Sequence, residues 1–365
     1  SPERRIGQAA HDLQQALAAP DIVLTRAEKV DGTPTVASRW LTRLEKFLAG
    51  HGRALARQPA ADLARWQSLL DRPAQIRAVA PPKPRPPLAA RPRQLSVTRI
   101  ETWIRDPYAI YARYVLGLKA LDPLDADPGA IDRGNMIHQA LDKFVSAYAD
   151  GLPADAVERL LTIGLEAFAA TLDRPGVRAF WWPRFERVAH WFVAFERDRR
   201  AKGVRTIATE CNGRLDLAAA TGSFRLTAQA DRIDRLADGR LCIIDYKTGQ
   251  PPSQPQVESG LVPQLPLEAA IAAAGGFDEV AAGAVAELAH MRLQGGIQIG
   301  SYMPVTADPA ELAAKAMAGL KRLVAAYDNP ATPYLSRLIV KFQNRPGDYD
   351  HLARVAEWSA AGAEE

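Results

Sequence analysis

The spacing of apolar residues changes once along this chain, and the change divides the expected elements into two groups. Over roughly the first 200 residues apolar positions recur at three- and four-residue intervals, the period of a helix face. Ile6, Ala9, Ala10, Leu13 and Leu17 mark one such face in IGQAAHDLQQALAA. Val36, Trp40, Leu41, Leu44 and Leu48 mark a second, which ends at Gly50. Between them DIVLTRA (21–27) reads as a short buried strand. SVTRIETWIRDPYAIYARYVLGL (96–118) predicts two short helices split at Pro107, with Ser96 as cap. DRGNMIHQALDKFVSAYADG (132–151) predicts an amphipathic helix that turns Ile137, Leu141, Phe144, Val145 and Tyr148 inward. Two more helices are expected over 154–171 and 177–201.

After these the content becomes strand-like. TIATECNGRLDL, SFRLTAQADRIDRL and RLCIIDYKTG predict three strands joined by turns at TGS and ADG. A helix around 262–274, a strand near AVAELAHMRL, a helix over 308–328 and a charged irregular tail complete the expectation. The alternation of helical and strand-like segments predicts an α/β fold, a mixed sheet flanked by helices. Six prolines in APPKPRPPLAARPRQ (80–94) forbid a helix or a central strand there, so this stretch is read as an extended linker and the main domain boundary. The expected division is a helical segment 1–80, a linker 81–94 and a second domain 95–365.

Composition narrows the function classes only at the edges. The 365 residues are 47% hydrophobic and 24% charged, with a formal net charge of +4. That balance suits a soluble protein with a sizeable core and permits a polyanionic partner, although the arginines are scattered. Two cysteines, Cys211 and Cys242, exclude a disulfide framework and a four-thiolate site built within this chain. A reducing cytoplasm fits. No apolar run reaches the roughly 18 residues of a membrane span, and SPERRIGQ has no hydrophobic signal core. The chain begins at Ser1 without an initiator Met, so a processed form or a piece of something longer is expected.

Chemistry concentrates in LCIIDYKTG (241–249). Charges at the end of a buried strand are costly unless paired or ligated. Residues two apart in a strand share a face, so Asp245 and Lys247 point one way while Ile244 and Tyr246 point the other. The ADGR hairpin (237–240) brings AQADRIDRL antiparallel beside this strand, carrying Asp231 or Asp234 toward Asp245. Clustered carboxylates repel, and a divalent cation reverses that logic. Oxygen ligands suit Mg²⁺ or Mn²⁺ rather than zinc. With a lysine nearby, these parts suit metal-assisted hydrolysis of a phosphodiester.

Four ordered motifs, RGNMIH (133–138), AQADRID (228–234), IIDYKTG (243–249) and PQLPLEAA (263–270), resemble the PD-(D/E)XK nuclease core in its RecB-like branch. The resemblance implies metal held by Asp231, Asp245 and the carbonyl of Tyr246, with Lys247 catalytic. It implies that His138 is a metal ligand or a substrate-positioning group and that Gln264 completes the active-site wall. It selects Asp231 over Asp234, which strand alternation places on the opposite face; Asp234 is then a partner for Arg232 or Arg235. The family often has Tyr a turn after that Gln, where this chain has Glu268. VLTRAEKVDGTPTVASRWLTRLEKFL resembles the late part of a superfamily-1 helicase-like domain, and YLSRLIVKFQNRPGDYDHLARVAEWS the C-terminus of AddB subunits. An AddA-type helicase–nuclease subunit is therefore the implied partner, and DNA the substrate, in the processing of double-strand breaks.

Two departures qualify the resemblance. Many relatives carry a four-cysteine iron–sulfur cluster, with one Cys before the proline of the first helix pair. Asp106 and Pro107 stand there, and no Cys follows residue 301, so no cluster is expected. Ordinary packing and polar pairs, using Asp106 and nearby arginines, must join the tail to residues 96–118. No G-x-x-x-x-G-K-[ST] loop occurs, so no ATP site of that kind is expected in the chain. Glu210, on the first strand, reads as the partner of a nearby arginine, with an outer-shell carboxylate of the site as the rival reading. FWWPRFERVAHWF (180–192) reads as core, with nucleic-acid stacking as the rival reading. Against nuclease activity stands a non-catalytic DNA-binding or scaffold module; a stand-alone exonuclease is disfavoured by the helicase-like segment.

Overall fold

The computed structural model describes residues 2–56, 61–70, 72, 74–75, 79–119, 121, 127–339 and 347–359. The chain forms two compact units, Ser1–Arg77 and Ala78–Glu365. The first holds α1 (Pro2–Ala16), a two-residue hairpin β1 (Lys29–Val30) and β2 (Thr33–Pro34), α2 (Arg39–Gly50) and α3 (Ala61–Leu70). Trp40, Leu41, Leu44 and Leu48 form the expected half-buried stripe on α2, while Val36 lies before the helix and is exposed. DIVLTRA is not a buried strand: residues 21–27 are irregular and all exposed. A run this short becomes a strand only where a neighbouring ladder takes up its peptide groups, and no described strand pairs with it.

The second unit is a three-layer sandwich. Its helices are α4 (Val97–Arg105), α5 (Pro107–Ile110), α6 (Ala130–Ala147), α7 (Ala156–Phe168), α8 (Trp182–Ala201), α9 (Gln254–Glu258), α10 (Gln264–Ala273), α11 (Pro309–Tyr327) and α12 (Val355–Trp358). Its strands are β3 (Gln94–Ser96), β4 (Arg205–Leu217), β5 (Phe224–Arg235), β6 (Leu241–Lys247), β7 (Val285–Leu293) and β8 (Gly300–Pro304). β5 is antiparallel to β4 on one edge; its other edge takes β3 in parallel and β6 antiparallel. β7 runs parallel to β6, and β8 antiparallel to β7. The sheet is thus mixed and flanked by helices on both faces, the fold class the alternation predicts.

The alternation along β6 decides which layer meets which face. Leu241 and Ile243 enter a core built with α4, α10 and α11. Cys242, Ile244 and Tyr246 enter a second core built with α6, α7 and α8. β3, β8 and α9 were not expected: each spans five residues or fewer, too short to show a period. Ser96 sits at the start of α4, but its hydroxyl meets the Thr98 hydroxyl at 2.9 Å and does not cap the helix.

The proline-rich stretch carries no α-helix, but it is broken by a 3-10 turn at Leu88–Ala90, which the expectation of an extended linker missed, and it belongs to the second unit. Arg91 is buried and donates to the carbonyls of Pro86, Tyr327, Asn329 and Pro330 at 2.8–3.1 Å. Tyr334 N–H donates to the Pro84 carbonyl at 2.9 Å. The tail meets residues 105–118 through Tyr108 N–H to Leu335 O, Ile339 N–H to Arg105 O, Arg337 N–H to Asp106 Oδ1 and Tyr349 Oη–H to Leu118 O. Residues 340–346 and 360–365, part of the stretch expected to be irregular, lie outside the described residues. Among the described residues no helix is long and apolar enough to cross a membrane.

One close approach fixes α7 on α8. Gly164 is buried against the Phe185 ring, and a Cβ there would overlap that ring. Gly319 on α11 has only the Arg322 guanidinium within 4 Å, at 3.9 Å. Alanine in a helix interior ordinarily stabilises by about 0.5–1 kcal/mol over glycine, whereas overpacking a core costs about 1–3 kcal/mol. Gly164→Ala is therefore expected to lower, and Gly319→Ala to raise, the urea midpoint of unfolding, with opposite signs for the same chemical change.

Candidate active site

β5 and β6 part company at one place, and the site occupies the gap. On that edge of β5 the pairing with β3 ends at Thr227, and the pairing with β6 begins at Arg232 opposite Ile244. Beyond Ile244, β6 runs on beside β7 alone, with Asp245, Tyr246 and Lys247 opposite His290, Met291 and Arg292. A peptide N–H freed from a ladder needs another acceptor. Tyr246 N–H finds it in the Asp231 carboxylate, at 2.6 Å from Oδ2. The side chain of Asp231 thus bridges the fork where a strand carbonyl would otherwise sit.

Asp231 also marks a break in alternation. Phe224, Leu226, Ala228 and Ala230 enter the first core, and so does Ile233, an odd step away. On β4 Cys211, Leu215 and Leu217 pack toward that core, and so does Ala208. Glu210 has φ +45°, the left-handed region that a non-glycine residue occupies only under constraint. It lies between the pairs Thr209–Arg232 and Cys211–Ala230, opposite Asp231. The expectation that Asp231 and Asp234 face opposite sides is therefore corrected: both reach the layer of α6 and α8. Asp234 is nevertheless occupied, 2.6 Å from Arg232 Nε and 2.9 Å from Arg199 Nη2. Burial would raise its pKa, but the two guanidinium groups hold it below the usual carboxylate range.

On the α6 side the trio His138, Glu210 and Asp231 offers one ligand atom each, all within 4.8 Å of one another. His138 Nδ1 stands 3.5 Å from Asp231 Oδ1 and 4.0 Å from Glu210 Oε1. The three line an open cleft of about 590 Å³. Among the described residues no arginine pairs with Glu210, which meets His138 instead, so the rival reading of a site carboxylate holds its place. Burial and the Asp231 charge raise its pKa. Burial pulls the His138 imidazole down, but its hydrogen bond to Asp231 and the surrounding carboxylates carry it above 6.5. The two carboxylates suit a hard divalent cation, and the half-buried imidazole adds a nitrogen donor of the kind that zinc and iron also accept.

Asp245 lies behind this trio and is almost fully buried, its oxygens already engaged. Lys247 Nζ and Gln264 Nε2 each donate to Oδ1 at 2.8 Å, and His290 Nδ1 meets Oδ2 at 2.9 Å. Since a carboxylate only accepts, Nδ1 of His290 carries the proton. Burial would raise the Asp245 pKa, but Lys247 and His290 hold it below the usual range. Burial would lower that of Lys247, but Asp245 raises it, so the ammonium stays charged. Gln264 also reaches Glu268 at 3.2 Å. Burial and then the charges of Asp245 and Asp231 push the Glu268 pKa well above the ordinary carboxylate range.

The structure therefore gathers Asp231, Asp245, Lys247, Gln264 and His138 around one fork. It adds Glu210, Glu268 and His290. Tyr246 contributes its backbone, while its ring is buried in the second core, edge-on to His138 at 5.6 Å. His290 carried no signal of its own in AVAELAHMRL; only the parallel register of β7 on β6 sets it opposite Asp245.

Residues 94–336 match the family described as the PD-(D/E)XK nuclease superfamily. An uncharacterised protein of Rickettsia bellii is 34% identical over 187 residues, covering 51% of this chain and 22% of that protein. Another, of Rickettsia conorii, is 29% identical over 260 residues, covering 70% of this chain and 30% of that protein. The chain thus spans less than a third of the length of these relatives. The crystal structure of SSO0001 aligns with a TM-score of 0.25 and 9% identity, over 73% of this chain and 87% of that one. With its match running from β3 through the fork to the residues after α11, the chain belongs to the PD-(D/E)XK nuclease superfamily.

Proposed function

We propose that this chain is a Mg²⁺- or Mn²⁺-dependent deoxyribonuclease, hydrolysing phosphodiester bonds of DNA strands as an exonuclease. The observation that carries the reading is the convergence of Asp231, Asp245 and Lys247 where β5 and β6 separate, with His138 and Glu210 facing the cleft. His138, Glu210 and Asp231, together with Asp245 and the Tyr246 carbonyl, are the groups proposed to hold the cation. When bound, such an ion neutralises charge on a phosphate and lowers the pKa of a coordinated water.

The chain's own residues do the rest. Lys247 keeps its proton, so it acts as a fixed donor to phosphate or water oxygens rather than as a base. Asp245 holds that ammonium in place, and Gln264 and His290 fix both oxygens of Asp245. Gln264 also bridges Asp245 to Glu268, whose pKa burial and the neighbouring carboxylates raise.

The resemblance of residues 23–48 and 334–359 to AddB subunits supports a place in an AddAB-type helicase–nuclease of double-strand break repair and recombination. The division 1–80, 81–94 and 95–365 is then a helicase-like remnant, a strap and the nuclease. An AddA-type partner would supply the ATP-driven motor, in the cytoplasm. The rival reading, a scaffold that only binds DNA, rests on the same fold without the chemistry.

End-labelled single-stranded DNA should be cut by the chain in Mg²⁺ or Mn²⁺ and not in EDTA. Lys247→Ala should reduce the rate by about 10²–10³-fold, the usual cost of one transition-state donor, and Asp231→Asn should abolish metal binding. Metal binding without cutting would mean that the site needs its partner to deliver DNA, and neither cutting nor metal binding would leave the scaffold reading. Calorimetry in buffers of different ionisation enthalpy should show a proton released on metal binding, because His138 must lose its proton to ligate. Affinity should rise with pH until the raised His138 pKa is passed. Without metal the sign reverses: the imidazolium's contribution to stability is complete below 6.5 and lost as pH rises through the folded value. His138→Gln should remove that fall in Tm measured in EDTA.

A further inference from the structure

Outside the fork, the aromatic run at 180–192 divides cleanly. Phe185 and Phe192 are fully buried, and Trp181, Trp182 and Trp191 pack partly against the second core. Phe180 alone projects, 67% exposed. It lies in a single π-helical turn, Val177–Trp181, that runs directly into α8. Residues four apart on a helix are neighbours, so Phe180 lies beside Arg184. Arg184 is exposed, and no ion pair or hydrogen bond engages its side chain among the described residues.

This surface adjoins the fork on two sides. Gly295, just past the end of β7, is pressed on the backbone of Arg184, and its carbonyl accepts from Arg187 Nε at 2.7 Å. β7 is the strand that pairs Arg292 with Lys247. On α6, Gly134 faces Thr248, with 3.2 Å between the Thr248 hydroxyl and a Cβ built there. Arg133, next to it, is half-buried, likewise without a side-chain partner among the described residues. Burial and then the charge of Arg184 hold its pKa below the usual guanidinium value. Nearby carboxylates are committed elsewhere: Asp132 to the Gly129 N–H, Glu186 to the Trp182 indole and Asp127 to Arg174.

Two guanidinium groups, one beside the residue that faces Thr248 and one against Gly295 past β7, left without an acid among the described residues, await an anion. We infer that Arg133 and Arg184 grip the backbone of a single DNA strand on its way to Lys247, while Phe180 stacks on one of its bases. This rests on the nuclease reading and extends it to the approach path. Phosphate oxygens match the paired forks, and an exposed ring matches a base free of its complement. A duplex, whose bases are already stacked, offers nothing to Phe180.

The test is fluorescence anisotropy of a labelled oligo-dT with the full chain carrying Lys247→Ala, so that binding is read without cutting. Adding Arg133→Ala with Arg184→Ala should weaken binding about tenfold near 0.1 M salt. It should also flatten the slope of log K against log[salt] by about 1.4, two phosphates at about 0.7 each. Phe180→Ala should weaken binding about five- to tenfold at every salt concentration and leave an abasic strand unaffected. Arg322→Ala, on α11 against the opposite sheet face, is the charge control and should change nothing. Unchanged affinity and slope in the arginine pair would overturn the inference, as would a Phe180 effect that persists on the abasic strand. A wild-type chain, with Lys247 intact, that binds the strand in Mg²⁺ and Mn²⁺ without cutting it would sink the nuclease reading and leave this path standing; one that binds no single strand would sink both.

Discussion

The site depends on one hydrogen bond that replaces a rung of the sheet. Where β5 and β6 diverge, the Tyr246 N–H loses its strand partner, and the Asp231 carboxylate takes it up. The bond settles two requirements together. It satisfies a buried peptide group that would otherwise cost on the order of 1–3 kcal/mol. It also fixes Asp231 so that its other oxygen faces His138. Closing the fork with a ladder bond would remove the cleft, and opening it without Asp231 would orphan the peptide.

What keeps the fork from slipping lies directly behind it. Arg232 and Asp234, next to Asp231 on β5, are fully buried in an ion network with Glu196 and Arg199 of α8. Such networks contribute little net stability, because desolvation offsets their attraction, and they penalise any other arrangement heavily. A shift of β5 by one residue would leave buried charges unpaired. The left-handed Glu210 is held in the same way, between two regular pairs of the β4–β5 ladder. Strain and buried charge therefore both serve register here.

Much of this was legible in the sequence, for identifiable reasons. The alternation in LCIIDYKTG placed Asp245 and Lys247 on one face and Tyr246 on the other, and the ADG turn joined β5 to β6 antiparallel, as observed. Both are local signals. The phase change at Asp231 was not legible, because it follows from the backbone of Glu210 on a different strand. His290 was hidden for a related reason: its position opposite Asp245 comes from a parallel crossover through α10, and no local pattern encodes that register. DIVLTRA misled in the other direction. Its apolar run has the composition of a strand, but composition supplies no neighbouring ladder.

The charges around the fork follow a gradient that the +4 total of the chain conceals. At the cleft, Glu210 and Asp231 concentrate negative charge beside one imidazole, an arrangement costly without a cation. One layer deeper, Asp245 is balanced by Lys247, and burial beside Asp245 and Asp231 raises the Glu268 pKa. Toward the start of α8 the balance reverses, with Arg133 and Arg184 lacking acids of their own. Acid surplus at the centre and basic surplus at the rim are each unfavourable in the bare chain. A cation and a polyanion relieve both when they come together, since the ion offsets the repulsion that the carboxylates would exert on a phosphate.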